Sequence, residues 1–132
     1  MRYLIALLIA MTFNAVANLL IKVGMKSVDA SGGLFKDGAA AAFKTVWTSA
    51  PLLVGLTCFA LNAVFYMYAL QSRSLKISIA YPIMVGGGFV LIALIARLHP
   101  ALAERLTLGQ VLGVGLVLLG IVLIAAQQEP VA

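Results

Sequence analysis

The chain has 132 residues, 64% of them apolar and only 10% charged, with a formal net charge of +5. A soluble domain needs a charged skin, and this composition supplies too little charge to make one. Nucleic acid is also excluded as a partner, because the nine Lys and Arg residues fall mostly at the ends of apolar stretches, where anionic lipid headgroups would meet them.

Four apolar stretches organise the sequence, at 3–23, 51–70, 77–96 and 108–126. Each approaches the ~20 residues that a helix needs to cross the hydrocarbon core. None contains an acidic residue; Asp29, Asp37, Glu104 and Glu129 all lie between or after them. The pattern predicts an all-α membrane protein of one domain over 1–132, with four transmembrane helices and an interfacial amphipathic helix between helices 1 and 2. Met1-Arg2, an apolar run and Ala15-Val16-Ala17 have the outline of a cleaved signal peptide. The apolar character nevertheless continues through Leu19, Leu20 and Ile21 to Lys22, so the segment reads as a retained span.

In the first span Asn14 and Asn18 are one helical turn apart and share a face. An amide in hydrocarbon is expensive unless paired, so this face should point into the bundle or a polar cavity. Either the two amides hold neighbouring helices together or they line a substrate pathway; the same residues can do both. Lys22 extends that face to the interface, as an ordinary snorkelling anchor or as a fixed cation for an anionic headgroup. Arg97 and Lys76 allow the same two readings. Val23-Gly24 supplies a helix stop, and Ser31-Gly32-Gly33 breaks the connection that follows. Over 34–48, Phe35, Ala39, Ala42, Phe43, Val46 and Trp47 recur at helical spacing, with Lys36, Asp37, Lys44 and Thr48 on the other side. This predicts a helix lying in the headgroup plane; the alternative is a flexible loop.

Pro51 suits the first turn of the second span. That span carries Asn62, a lone Cys58 expected to be a buried thiol, and Tyr66 and Tyr68 at the level of an interfacial aromatic belt. The short polar turn Gln71–Lys76 makes spans two and three antiparallel neighbours. In the third span Pro82 removes the helical donor of the Ser78 carbonyl, and Gly86-Gly87-Gly88 follows four residues later. Each glycine weakens a helix by roughly 1 kcal/mol relative to alanine in water. In a membrane the glycines also permit very close helix contact and bending, so Pro82, Gly86, Gly87 and Gly88 are expected to act as a hinge. Arg97, His99 and Pro100 close the span, with His99 read as a solvated loop residue. In the fourth span Gly109 and Gly113 form a small-xxx-small ridge, and Gly113, Leu116 and Gly120 lie near one face, a candidate dimer interface. Cations on the two sides of the membrane divide six to three, with three of the six in the long connection, which is too small a margin to assign an orientation.

No nucleophile–base pair, metal-ligand cluster or phosphate-cradling loop is present, so neither an enzyme nor a metal or cofactor is expected.

Taken in order, the motifs resemble the small multidrug resistance family of the drug/metabolite transporter superfamily. The residues that carry this are Leu20-Ile21-Lys22 closing the first span, Ile79-Ala80-Tyr81-Pro82-Ile83 followed by Gly86-Gly87-Gly88, Glu104-Arg105-Leu106 before the fourth span, and Gly113-x-x-Leu116-x-x-x-Gly120-Ile121 within it. The similarity covers nearly the whole chain except the long first connection. Asn14 stands where the drug exporters carry an essential membrane glutamate, and Met84 where they carry a drug-contacting tryptophan. Asparagine neither titrates nor attracts a cation. Proline after Tyr81 is closest in pattern to the aminoarabinose-phosphoundecaprenol flippase subunits. The resemblance implies a flippase of the bacterial inner membrane, acting on a lipid-linked sugar or other polyprenyl-phosphate lipid. Its implied substrate-binding residues are Asn14, Asn18, Lys22, Asn62, Tyr81 and Met84. It also implies a dimer through the fourth helix, either a homodimer or a heterodimer with a sister chain. The alternatives are a proton- or cation-coupled small-molecule exporter and a non-transporting membrane subunit that regulates a partner.

Overall fold

The computed structural model describes residues 1–73, 75–98 and 105–127, and among them it holds five α-helices and no strand. These are α1 (Arg2–Ala30), α2 (Ala39–Thr48), α3 (Ala50–Leu70), α4 (Ile77–Leu98) and α5 (Leu108–Ala126). Four of them, α1, α3, α4 and α5, are long and apolar enough to cross a membrane. His99, Pro100 and Glu104, and the polar tail beyond Gln127, lie outside the described residues.

Helix α1 does not stop at Val23-Gly24. It runs on to Ala30, 29 residues in all, which at 1.5 Å per residue makes it about 43 Å long. Gly24 is buried, and a Cβ there would stand 2.6 Å from Leu52 Cδ2 in α3. The glycine thus permits a close helix crossing instead of ending a helix. Termination comes at Gly32 and Gly33, whose φ values of +106° and +100° suit glycine. There the Gly33 N–H donates to the Val28 carbonyl at 3.1 Å, satisfying one of the last orphan acceptors of the helix.

The amphipathic segment is shorter than its sequence pattern. Residues 34–37 form turns, Gly38 sits at φ +90°, and α2 begins only at Ala39. Phe43 and Trp47 remain largely exposed, their ring centroids 5.9 Å apart, on a helix that packs against α3. Pro51 falls in the first turn of α3, where its missing N–H matters least. Cys58 is half-buried, more open than a core thiol. Pro82 lies inside α4, which continues to Leu98. Thr107 caps α5 through a reciprocal box: its N–H donates to Gln110 Oε1 at 2.8 Å, and the Gln110 N–H donates to Thr107 Oγ1 at 3.3 Å.

Helix α1 is the centre of the fold. Its most extensive interface is with α3 and its second with α4; α5 is attached to α4, and α2 to α3. A cluster of buried residues joins Ala6, Leu7 and Ala10 of α1 to Ala69, Leu75, Ala80 and Met84. Small residues dominate it because hydrocarbon offers no hydrophobic drive to associate, so helices are held by close packing. Gly24 meets Leu52, and Gly55 meets Ile21, which sets an antiparallel register between α1 and α3. In that register Asn62 lies at the depth of Asn14, close to the middle of both apolar stretches.

Candidate functional site: a polar layer at mid-span

The polar layer begins on α1. The Asn18 amide Nδ2 donates to the Asn14 carbonyl at 2.8 Å and to Asn14 Oδ1 at 3.3 Å. The two amides are thereby joined along the helix, and Asn18 stays exposed. Asn14 is directed at α4, where a Cβ on buried Gly88 would stand 2.9 Å from Asn14 Nδ2. Gly88 therefore provides the room that the Asn14 amide occupies. Lys22, also exposed, lies eight residues further along α1, about 12 Å at the helical rise.

Helix α3 contributes a second polar element. Asn62 is 5% exposed, and its Oδ1 meets no hydrogen-bond partner. The hydroxyl of Tyr66, one turn on, is likewise buried and unpartnered. The Tyr66 ring packs edge-on to Tyr81 of α4, centroids 6.4 Å apart, and Tyr81 is 54% exposed. By its place near the span end Tyr66 is expected in an interfacial belt, yet its hydroxyl is buried. The four-residue step from Asn62, the same spacing that pairs Asn14 with Asn18, is the signal in the sequence.

Other residues take different places. Met84 is 7% exposed and belongs to the core cluster with Leu7 and Ala10, so it fills volume between helices and does not line an open surface. The glycine run is shared between two neighbours. Gly86 faces α5, where a Cβ would stand 2.6 Å from Ile121 Cδ1; Gly87 faces Met11, and Gly88 faces Asn14. The four glycines of α5, Gly109, Gly113, Gly115 and Gly120, have open space where a Cβ would project. Leu116 is 69% exposed, and no residue of α5 is buried. The structure thus does not bring the candidate dimer residues into contact with this chain's own polar layer.

Apolar clefts flank the bundle. One, of about 320 Å³, runs along α1 beside Ile5, Ile9, Thr12 and Val16. Another, of about 400 Å³, lies between α2 and α3, with Phe43, Trp47, Leu53, Leu56 and Ala60 on its walls.

This arrangement defines a multi-pass α-helical membrane protein with an uncharged polar layer between its packed helices. The chain belongs to the same family as the uncharacterized protein y4nH of Sinorhizobium fredii, to which it is 33% identical over 112 residues, 85% of each chain. It is also 40% identical over 73 residues to the probable 4-amino-4-deoxy-L-arabinose-phosphoundecaprenol flippase subunit ArnF of Aeromonas hydrophila. That match takes in 55% of this chain and about half, 48%, of the Aeromonas protein. No family model matches the chain, and no solved structure does.

Proposed function

We propose that this protein is a membrane transporter that flips a lipid-linked sugar or another polyprenyl-phosphate lipid across the bacterial inner membrane. The observation that carries this reading is the stretch shared with the Aeromonas flippase subunit, on a chain whose polar groups at mid-span are amides and phenols without a carboxylate. Lys22 captures the lipid phosphate at the interface. Asn18 and Asn14 then offer hydrogen bonds at successive depths, about 6 Å and 12 Å further in along α1. The hydrocarbon tail stays in lipid or in the apolar clefts. Helix α4 moves about Pro82 and the Gly86–Gly88 run, opening the layer to one side at a time. Motion follows the substrate gradient or that of another ion, since the apolar stretches 3–23, 51–70, 77–96 and 108–126 hold no acidic side chain to exchange protons, and Asp29 lies in the last turn of α1, beyond the first of them.

Flipping of a labelled polyprenyl-phosphate sugar in proteoliposomes that contain this protein alone is the direct test. Protein-dependent exposure of the label on the far leaflet is the expected result. Absence of flipping, together with pH-gradient-dependent uptake of a cationic dye, would overturn the reading.

Two chains pair through α5 in this reading, at Gly109, Gly113, Leu116 and Gly120, either as a homodimer or with a sister chain. The support is a small-xxx-small ridge with open space beside it, on a helix that buries none of its own residues. A Gly113→Ile side chain would hold the backbones apart. Energy transfer between labelled chains in liposomes should fall severalfold in that variant, and unchanged transfer would remove α5 from the interface.

A further inference from the structure

Asn62 and Tyr66 present an arrangement that packing alone does not account for. An acceptor and a hydroxyl, both buried, both without a partner, sit one turn apart on α3. They lie where α3 meets α1 and α4: Tyr66 packs on the core cluster and against Tyr81, and Asn62 shares the depth of Asn14. A polar group left unmatched in a low-dielectric interior is costly, and leucine or phenylalanine would fill the same space without that penalty. Two such groups side by side on one face therefore mark a place where hydrogen bonds are completed by something the chain does not itself supply.

We propose that Asn62 and Tyr66 form a subsite for the hydroxyl groups of a sugar ring, a deepening that rests on the lipid-carrier reading above. The donor–acceptor chemistry selects the class. Asn62 Oδ1 can only accept, and the Tyr66 hydroxyl can both donate and accept. Vicinal sugar hydroxyls satisfy both at once. A carboxylate, a phosphate or an ammonium would bring a full charge to a depth where the apolar stretches of α3 and α4 supply no counter-charge, whereas a hydroxyl brings none. Tyr81, half exposed at the edge of Tyr66, adds an aromatic surface for the apolar face of a pyranose. Phosphate recognition then belongs to Lys22 and sugar recognition to α3, so that a bare lipid phosphate and its glycosylated form are told apart at mid-span.

The test compares the affinities of undecaprenyl phosphate, glucosyl-phosphoundecaprenol and the 4-amino-4-deoxy-arabinosyl form for the full chain in nanodiscs. At least one glycosylated lipid should bind about tenfold more tightly than undecaprenyl phosphate. That ratio should collapse toward one in Asn62→Leu and in Tyr66→Phe, the second variant being nearly isosteric and so a safeguard against misfolding. Both variants should melt no lower than the parent in the absence of lipid, since each removes an unmatched polar atom. A ratio that survives both substitutions overturns the subsite. Equal binding of bare and glycosylated lipids by the parent chain also overturns it, while leaving a lipid-phosphate carrier standing. Failure of all three lipids to bind sinks the carrier reading and the subsite together.

Discussion

Replacing Gly55 by valine should separate α1 from α3 and produce the largest loss of stability of any single substitution considered for this chain. A Cβ at this position already falls 2.9 Å from Ile21 Cγ1 and 3.2 Å from both the Ala17 carbonyl oxygen and the Ile21 backbone nitrogen. Two of those three neighbours are backbone atoms, which cannot rotate away as a side chain can. Valine adds two methyl groups to a space with no room for one. Overpacking in a tight interior typically costs ~1–3 kcal/mol, and here the strain falls on the most extensive helix interface of the fold. The measurement is the thermal or denaturant midpoint in detergent micelles. Gly115→Ala is the comparison, because nothing stands near its added Cβ and alanine is the better helix former by about 1 kcal/mol. Gly115→Ala should match or exceed the parent while Gly55→Val falls well below it. Equal midpoints for the two variants would mean that α1 and α3 do not cross as closely as described.

Asn18→Leu combined with Lys22→Ala should reduce flipping by more than about tenfold. A hydrogen bond to a charged group contributes about 1.5–3 kcal/mol, and 1.4 kcal/mol corresponds to a factor of ten. Lys22→Arg keeps the charge and should retain most of the rate; Lys22→Ala alone should lose more than Asn18→Leu alone. Collapse of the proton gradient should leave the rate unchanged. The assay is transfer of a labelled polyprenyl-phosphate lipid between leaflets of proteoliposomes. Undiminished flipping in the double variant would dissolve the assignment of the α1 face as the pathway.

The four long apolar helices were legible because length and hydropathy mark them: four stretches near the thickness of a bilayer have few other homes. The face shared by Asn14 and Asn18 was legible for the same reason, since a period of 3.6 can be counted. What a glycine does could not be counted. Gly24 reads as a stop signal from its neighbours in sequence, yet its surroundings are set by Leu52, a residue 28 positions away. Gly86, Gly87 and Gly88 read as allowing bending and close helix contact, but which helix each one meets, α5 at Gly86 and α1 at Gly87 and Gly88, is not written in the run itself. Met84 was assigned to a binding surface by its place in a motif, and the structure puts it among Leu7, Ala10 and Ala80. Tyr66 lies near a span end, where tyrosines commonly belong to the interfacial belt, but its hydroxyl is buried. In each case the missing information was which helix lies alongside, and in a membrane that is decided by small-residue contacts spread over distant parts of the chain.

Helix α5 has one further consequence. Among the described residues its main contact is with α4, and it buries none of its own residues, so intramolecular packing holds it less firmly than α1, α3 and α4. Its place is then governed by whatever occupies the bilayer beside it, and any assembly it enters becomes a question of two-dimensional concentration. Turnover per molecule in vesicles would accordingly climb with the protein-to-lipid ratio before levelling off.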